Sequence, residues 1–409
     1  MRIKDIGNIN ARVLREETPR DYTFQYIDIG GVSNDGQITL SEPMRYDESP
    51  SRARRIVKQN DVIVSTVRTY LRAIAGIDWD AKDTIASTGF AVISPDKKYN
   101  PTYVKYLMTS DAIVNEICKG STGVSYPAIN TSRLSAIHIP DISLNGQTAI
   151  AAYLDKQLSS INNRICLRER ELQTLIKLKQ SEINSVITRG LDATVSMKDS
   201  GISWIGQIPA HWEVRRFKEI FKSYTTGITP ESKNPNNFET EGGYPWITIA
   251  DIGDKKYVKS GSLNLSERVI RNYAPPITRK GSLLFSFKLS IGKVAFAEED
   301  LYTNEAIVSI PPSKKLCFDF FYYLLPSVLL NNATENIYGA KMLNQKIIAN
   351  MCFPLPPKEE QERIADYLNT KFKSIDDMIN NINAQVEKLK LLKRSLINEV
   401  ISGERHIEL

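Results

Sequence analysis

From Lys358 to Ser402 apolar residues recur at steps of three or four, with one double step: Ile364, Leu368, Phe372, Ile375, Ile379, Ile382, Val386, Leu389, Leu396 and Val400. Polar residues fill the gaps and no proline or glycine interrupts. That spacing predicts one long amphipathic helix with a heptad-like seam. Ile150, Leu154, Leu158, Ile161, Ile165, Leu172, Leu175, Ile183 and Val186 write the same pattern earlier in the chain. Pro354, Pro356 and Pro357, then Glu359 and Glu360, give the second helix a start signal, with acidic groups where the helix dipole favours them. Gly190 and Gly403 supply the stops. A helix of about 44 residues is about 66 Å long. Its seam cannot remain in water, so the two helices are expected to bury their seams against each other. A complete globular segment separates them, which favours an antiparallel pair with one globular domain at each end and a two-fold axis between.

Outside the helices the pattern changes to short apolar runs bounded by polar or glycine turns, which predict strands. Asp61-Val62-Ile63-Val64-Ser65-Thr66 corresponds to Gly281-Ser282-Leu283-Leu284-Phe285-Ser286-Phe287, and Phe90–Pro95 to Ala306–Pro311. The apolar stretch Leu316 to Leu330 contains Asp319 and Pro326, so it reads as a buried helix and not a membrane span. The expected fold class is α+β, mixed α/β. The expected organisation is a first globular domain at 1–140, a first spacer helix at 141–190, a linker and second globular domain at 191–357, and a second spacer helix at 358–409.

The chain repeats itself at a constant offset. Gln147-Thr148-Ala149-Ile150-Ala151-Ala152-Tyr153-Leu154 returns 214 residues later as Gln361-Glu362-Arg363-Ile364-Ala365-Asp366-Tyr367-Leu368. The same offset pairs Ile129-Asn130 with Leu343-Asn344, Pro140 with Pro354, and Arg2-Ile3-Lys4-Asp5-Ile6 with Arg216-Phe217-Lys218-Glu219-Ile220. Between these anchors the copies differ in sequence and local length. A shared scaffold with divergent loops is how one fold addresses two targets.

Composition adds limits. The 409 residues, 42% of them hydrophobic, suffice for more than one core,. Cys118, Cys166, Cys317 and Cys352 are scattered singly, without zinc or disulfide spacing, which suits a reducing cytoplasm,. The opening residues carry charge without a following apolar run, against a signal peptide. A net charge of +6 is too small for a global field, so phosphate binding must come from local clusters. Arg52, Arg54, Arg55 and Lys58 form one; Arg268, Arg271, Arg279 and Lys280 form a counterpart.

Catalytic patterns are missing. Ala274-Pro275-Pro276-Ile277 lacks the polar and aromatic groups of an adenine-methyltransferase loop, and Gly227 to Lys233 fails Walker A spacing,. His138, His211 and His406 stand apart, without a triad or ligand arrangement,. Candidate nucleic-acid contacts lie in two loops per copy. After the first buried strand, Val67-Arg68-Thr69-Tyr70-Leu71-Arg72 interleaves Arg68 and Arg72 with the hydroxyl of Tyr70; the second copy offers Lys288, Ser290 and Lys293. The glycine-rich loop with Lys119, Ser125 and Tyr126 has a counterpart with Tyr338 and Lys341. Arginine pairs bidentately with guanine, whereas lysine more often serves as a phosphate point charge.

The run Asn344 to Leu368, with Pro354-Leu355-Pro356-Pro357-Lys358-Glu359-Glu360-Gln361 at its centre, resembles the junction of target-recognition domain and spacer helix in type I restriction-modification specificity subunits. Ser200 to Val214, with Trp204 and Trp212, resembles the leading segment of a recognition domain in that family. With the duplication, the resemblance covers essentially the whole chain. It implies a noncatalytic DNA-recognition subunit that binds a bipartite duplex site, one half per recognition domain. The helices would set the gap and dock two modification (methyltransferase) subunits, with restriction (motor-nuclease) subunits completing the complex. It implies no cofactor on this chain; S-adenosylmethionine, ATP and magnesium belong to the partners, and no membrane is involved. Two domains on one face of B-DNA would place half-site centres about 10 to 10.5 base pairs apart.

Met1 aligns with Arg215, so the first copy lacks the leading segment, leaving its edge packing in question. Trp204 and Trp212 are expected to pack and not to bind. Two other readings stay open: a fragment or partner of a fused methyltransferase-nuclease, which a neighbouring reading frame would complete, and a coiled-coil scaffold, which would bind no DNA in a sequence-dependent way.

Overall fold

A computed structural model of the chain describes residues 1–253, 255–335 and 341–407. It divides into two compact units, Met1–Arg170 with Ile382–Leu409, and Glu171–Asn381. The boundary falls inside both long helices, Leu144–Arg189 and Lys358–Ser402. Each unit therefore holds one α+β globular part and portions of two helices. Gly190 and Gly403 end the helices at φ +74° and +81°, the left-handed conformation that glycine adopts without a Cβ clash,.

In the first unit Ile150, Leu154, Leu158 and Ile161 share a core with Leu396, Ile397, Val400 and Ile401, and Ile165 and Leu389 pack at its edge. In the second, Val186 and Ile187 join Ile364, Leu368, Phe372 and Ile375, with Leu175 and Ile379 at the edge. The start of one helix meets the end of the other, so within each unit the two helix segments run antiparallel. The seams do more than face each other. The same cores contain Tyr103, Leu107 and Ile113 in the first unit and Phe320, Leu324 and Val328 in the second. The adjacent buried pairs Val186-Ile187, Ile364-Ala365 and Val400-Ile401 widen each stripe beyond a coiled-coil seam, so each helix end also roofs a globular core,.

The units repeat one sheet plan. In the first, strands Gly7–Ile9, Phe90–Pro95, Val62–Ser65 and Ile74–Gly76 lie side by side, antiparallel. In the second, Thr225–Thr226, Ile307–Ile310, Leu283–Ser286 and Val294–Ala297 do the same, and Tyr257–Val258 adds an edge. The central register is identical: Val62 to Ile93 through Ser65 to Phe90, and Leu283 to Ile310 through Ser286 to Ile307. All four residues of each central strand are buried, which explains why apolar side chains fill every position but the closing serine. A second sheet in each unit contains one parallel pair, Thr23–Ile27 with Thr84–Ser87 and Tyr244–Ile247 with Tyr302–Thr303.

Buried polar groups dock the preceding helix onto each long helix. The Gln147 side chain accepts from the Asn100 backbone N–H at 2.9 Å and donates to Ile142 O at 2.8 Å. Gln361 does the same with Cys317 N–H at 3.1 Å and Pro356 O at 2.9 Å. Asn100 and Cys317 are the N-caps of Pro101–Thr109 and Phe318–Asn332, so each glutamine satisfies a helix-end donor that would otherwise be orphaned. Farther along, Tyr106 donates to Asp155 at 2.5 Å and Tyr323 to Asn369 at 2.8 Å. Asp155 and Asn369 are again one repeat apart.

Within the first unit Asp111 is a second anchor. Its carboxylate meets Arg72 at 2.5 Å and Arg394 at 2.8 Å, and accepts from the Asn398 amide at 2.7 Å. Burial pushes its pKa up, but hydrogen bonds and charge from Arg394 and Arg72 outweigh that and hold the carboxyl below its ordinary value. A depressed folded pKa gives stability that is full above the unfolded pKa, about 4, and is lost as pH falls through the folded one. Asp111→Asn should therefore flatten the acid limb of first-unit stability below about pH 4, read by hydrogen exchange across a pH series; an unchanged acid slope would refute the assignment.

The leading segment of the second unit is a small antiparallel pair, Met197–Asp199 with Gln207–Pro209, followed by Glu213–Arg216 paired with Cys352–Leu355. Trp212 is fully buried and Trp204 is half-buried against the same core. In the first unit the corresponding pairing is the single bridge Arg2 to His138, and Ile3 N–H donates to Ile137 O at 3.0 Å as Phe217 N–H donates to Met351 O at 2.9 Å.

Candidate nucleic-acid interface

The central strand Val62–Ser65 delivers the chain into the first candidate loop. Buried Ser65 donates from its hydroxyl to Val67 O at 2.7 Å and starts the turn. Arg68 and Arg72 then bracket a short 3-10 turn, Thr69–Leu71, at φ +50° and +57°. Left-handed arginine costs free energy, on the order of 1–2 kcal/mol per residue, and persists because the surroundings hold it.

The second candidate loop does the holding. Arg68 N–H donates to Pro127 O at 2.7 Å and Ile129 N–H to Thr66 O at 2.9 Å. The Thr69 and Ser121 hydroxyls meet at 2.9 Å. The two loops singled out from sequence thus form one surface of the first unit. The repeated Ile-Asn pair contributes to that: Ile129 is buried beneath the junction, and Asn130 caps the helix Thr131–Ala136.

Arg68 projects from this surface with its guanidinium 4.4 Å from the centre of the Tyr126 ring, a cation–π stack that orients the fork without consuming its donors,. Arg68, Tyr70, Ser125 and Tyr126 are all exposed. Arg72 differs from the sequence expectation: its guanidinium is engaged by Asp111 and by Thr109 O at 3.1 Å, so it anchors the loop. Lys119 pairs with Glu116 at 2.8 Å on the surface.

Arg52, Arg54 and Arg55 sit in different surroundings on and beside the strand Ala53–Ile56, whose register shifts between Ala53 and Arg55. Arg54 lies over the Tyr46 ring at 5.1 Å and donates to Ala53 O. Arg55 is half-buried; burial pushes its pKa down, and its Nε has no acceptor among the described residues. Of the three, Arg52 is the exposed one. Its backbone carbonyl accepts from Thr88 N–H at 2.8 Å, and the next residue, Gly89, accepts from Thr66 N–H at 2.8 Å. Arg52 therefore borders the Arg68 loop through that turn.

The second unit builds its loop on the same plan. Buried Ser286 donates to Ser290 O and accepts from Lys293 N–H at 3.1 Å. Phe287 N–H donates to Ala306 O at 3.1 Å, and Leu343 N–H to Phe287 O at 3.3 Å, matching Thr66 to Gly89 and Ile129 to Thr66. Lys288 lies 5.5 Å from the Phe287 ring, Ser290 is exposed, and Lys293 donates to Ile249 O at 3.2 Å. Lys341 is exposed on the strand pair Thr334–Glu335 and Lys341–Met342. Tyr338 lies outside the described residues. Of the second basic cluster, Arg271 pairs with Glu267 at 2.5 Å and Arg279 with Asp300 at 2.6 Å, both on the surface.

Sequence reasoning missed Leu289, the tip of this loop, at φ +59° and 87% exposed. Its apolar side chain gave no charge signal. For other chemistry, among the described residues no three His, Cys, Asp or Glu come together as a metal site, and no helix is long and apolar enough to cross a membrane.

The type I restriction modification DNA specificity domain matches this chain twice, at residues 1–167 and 209–388. The chain is 29% identical over 197 residues to the MjaIX specificity subunit of Methanocaldococcus jannaschii, covering 47% of this chain and 44% of that one. It is 24% identical over 366 residues to the MjaVIII specificity subunit of the same organism, covering 86% and 81%. A solved structure described as the basis of complex assembly and conformational transition of a type I R-M system superposes with a TM-score of 0.64 at 22% identity, over 98% of this chain and 96% of that one. That likeness shows the fold. With both copies of the domain matched, the chain belongs to the family of type I restriction-modification DNA specificity subunits.

Proposed function

We propose that this chain reads a bipartite duplex DNA site, the loop pair of each unit contacting one half-site, and performs no chemistry itself. One observation carries the reading: both units start the loop at a buried serine and hold its first residue with matching backbone hydrogen bonds, yet the exposed side chains that follow differ. A scaffold for one fixed partner has no use for that divergence. The long helices would dock two modification subunits, which hold S-adenosylmethionine and methylate adenine. Restriction subunits that use ATP and magnesium would complete the assembly. Arg52, Arg68, Tyr70, Ser125 and Tyr126 supply the first unit's contacts, and Lys288, Ser290 and Lys341 the second's, with Arg72 and Lys293 holding their loops in place.

The test is to map methylated adenines in cells that co-express the modification subunit with and without this chain. A two-part motif that requires the chain is the expected result; a soluble complex with unchanged methylation would refute the reading. Arg68→Ala should then weaken binding to the motif by roughly 10- to 100-fold, the worth of one bidentate arginine–guanine pair, and relax one half-site only. Equal losses on specific and random DNA would reduce Arg68 to a phosphate contact.

A further inference from the structure

Leu289 and Arg68 occupy the same place in the two units. Each stands three residues after the last residue of its central strand, Ser286 or Ser65. Each lies two residues beyond Phe287 or Thr66, whose amide is held by the turn before the neighbouring strand and whose carbonyl accepts from Leu343 or Ile129. Each is left-handed, at φ +59° and +50°. Leu289 therefore bears a disfavoured backbone conformation and, with its side chain 87% in solvent, gains almost none of the burial that would offset it,. It joins none of the cores, so folding gains nothing from it. Backbone strain of this kind in a side chain that stabilises nothing points to a contact made outside the chain.

We infer that Leu289 is a specificity-determining residue that contacts a thymine 5-methyl group in the half-site read by the second unit, where Arg68 reads a hydrogen-bonding base edge in the other. The inference rests on the DNA-recognition reading above. In the major groove the thymine methyl is the one apolar feature among the base edges, and aliphatic side chains recognise it by packing. Leu289 offers no donor or acceptor beyond its backbone, so an apolar edge is what its side chain can distinguish. Lys288 and Ser290 flank it with polar groups suited to phosphate or neighbouring bases,.

The test uses the full chain in complex with its modification subunit. Once adenine methylation has revealed the motif, binding is measured at fixed salt on the motif duplex and on duplexes in which each thymine is replaced singly by uracil, which lacks the 5-methyl group. One thymine in the half-site that Arg68→Ala leaves unrelaxed should be methyl-sensitive, with about a fourfold loss for the wild type, the worth of one buried methyl group. Leu289→Ala should bind the intact motif about fourfold more weakly and become indifferent to that uracil, while Arg68→Ala keeps the uracil penalty. Leu289→Gly should melt no lower than wild type, because glycine adopts the left-handed conformation freely.

A wild-type complex with a defined motif but no methyl-sensitive thymine in that half-site overturns the proposal alone. So does a uracil penalty that survives in Leu289→Ala, or a lowered melting temperature in both Leu289 variants. A wild-type complex that recognises no motif at all overturns the DNA-recognition reading, and this proposal with it.

Discussion

Trp212→Ala should destabilise the second unit by about 3–5 kcal/mol, the range for removing a buried aromatic side chain. Trp212 is fully buried in the core formed by Val186, Ile187, Phe217, Phe353 and Ile364. Its ring lies over the end of the first long helix, where Gly190 leaves the space: a Cβ there would come 3.2 Å from Trp212 Cζ2 and 3.1 Å from Glu360 Oε1. His211, next in sequence, meets the same Glu360 at 2.8 Å. For a unit of this size the loss corresponds to roughly 10 °C in melting temperature. Differential scanning calorimetry and hydrogen exchange should place it in residues 171–381. Trp212 Nε1 is buried without an acceptor among the described residues, so Trp212→Phe, which removes that N–H and keeps a ring, should cost less than half as much. Unchanged melting together with weakened DNA binding would turn Trp212 from a packing residue into a contact.

Gln147→Leu and Gln361→Leu should each cost about 2–4 kcal/mol, because leucine keeps the volume but strands two backbone groups, and each orphaned buried group costs about 1–3 kcal/mol. The two groups are the cap N–H and the carbonyl of the turn before the long helix. Both glutamines are 2% exposed. Gln→Glu should be nearly as harmful, since a carboxylate cannot donate to Ile142 O or Pro356 O. Thermal melting of the four variants checks this; near-wild-type stability of either leucine variant would show that water substitutes for the amide.

The repeat register made much of the architecture legible. Gln147 with Gln361, Asn130 with Asn344, and Asp155 with Asn369 mark equivalent joints because buried polar geometry tolerates few residue types. The long helices were legible from spacing, since burying a stripe demands it. Their full role was not: periodicity shows which face is buried but not that Tyr103 or Phe320 shares the core. The candidate loops were legible as places, because they fall between repeated anchors. Their chemistry was only partly so. Arg68 and Arg72 look alike in sequence, yet Asp111, distant along the chain, engages Arg72 while Arg68 stacks on Tyr126. Left-handed turns are signalled by glycine or asparagine, and arginine and leucine at Arg68 and Leu289 hide them.

The loop geometry bears on how such a protein changes over time. Its course is held by a buried serine hydroxyl, by main-chain amides and by the Arg72 or Lys293 side chain, none of which belongs to the residue at the tip. Residues 68 and 289 can therefore be exchanged without repacking a core, and a lineage could acquire a new target by a single codon change instead of a coordinated set.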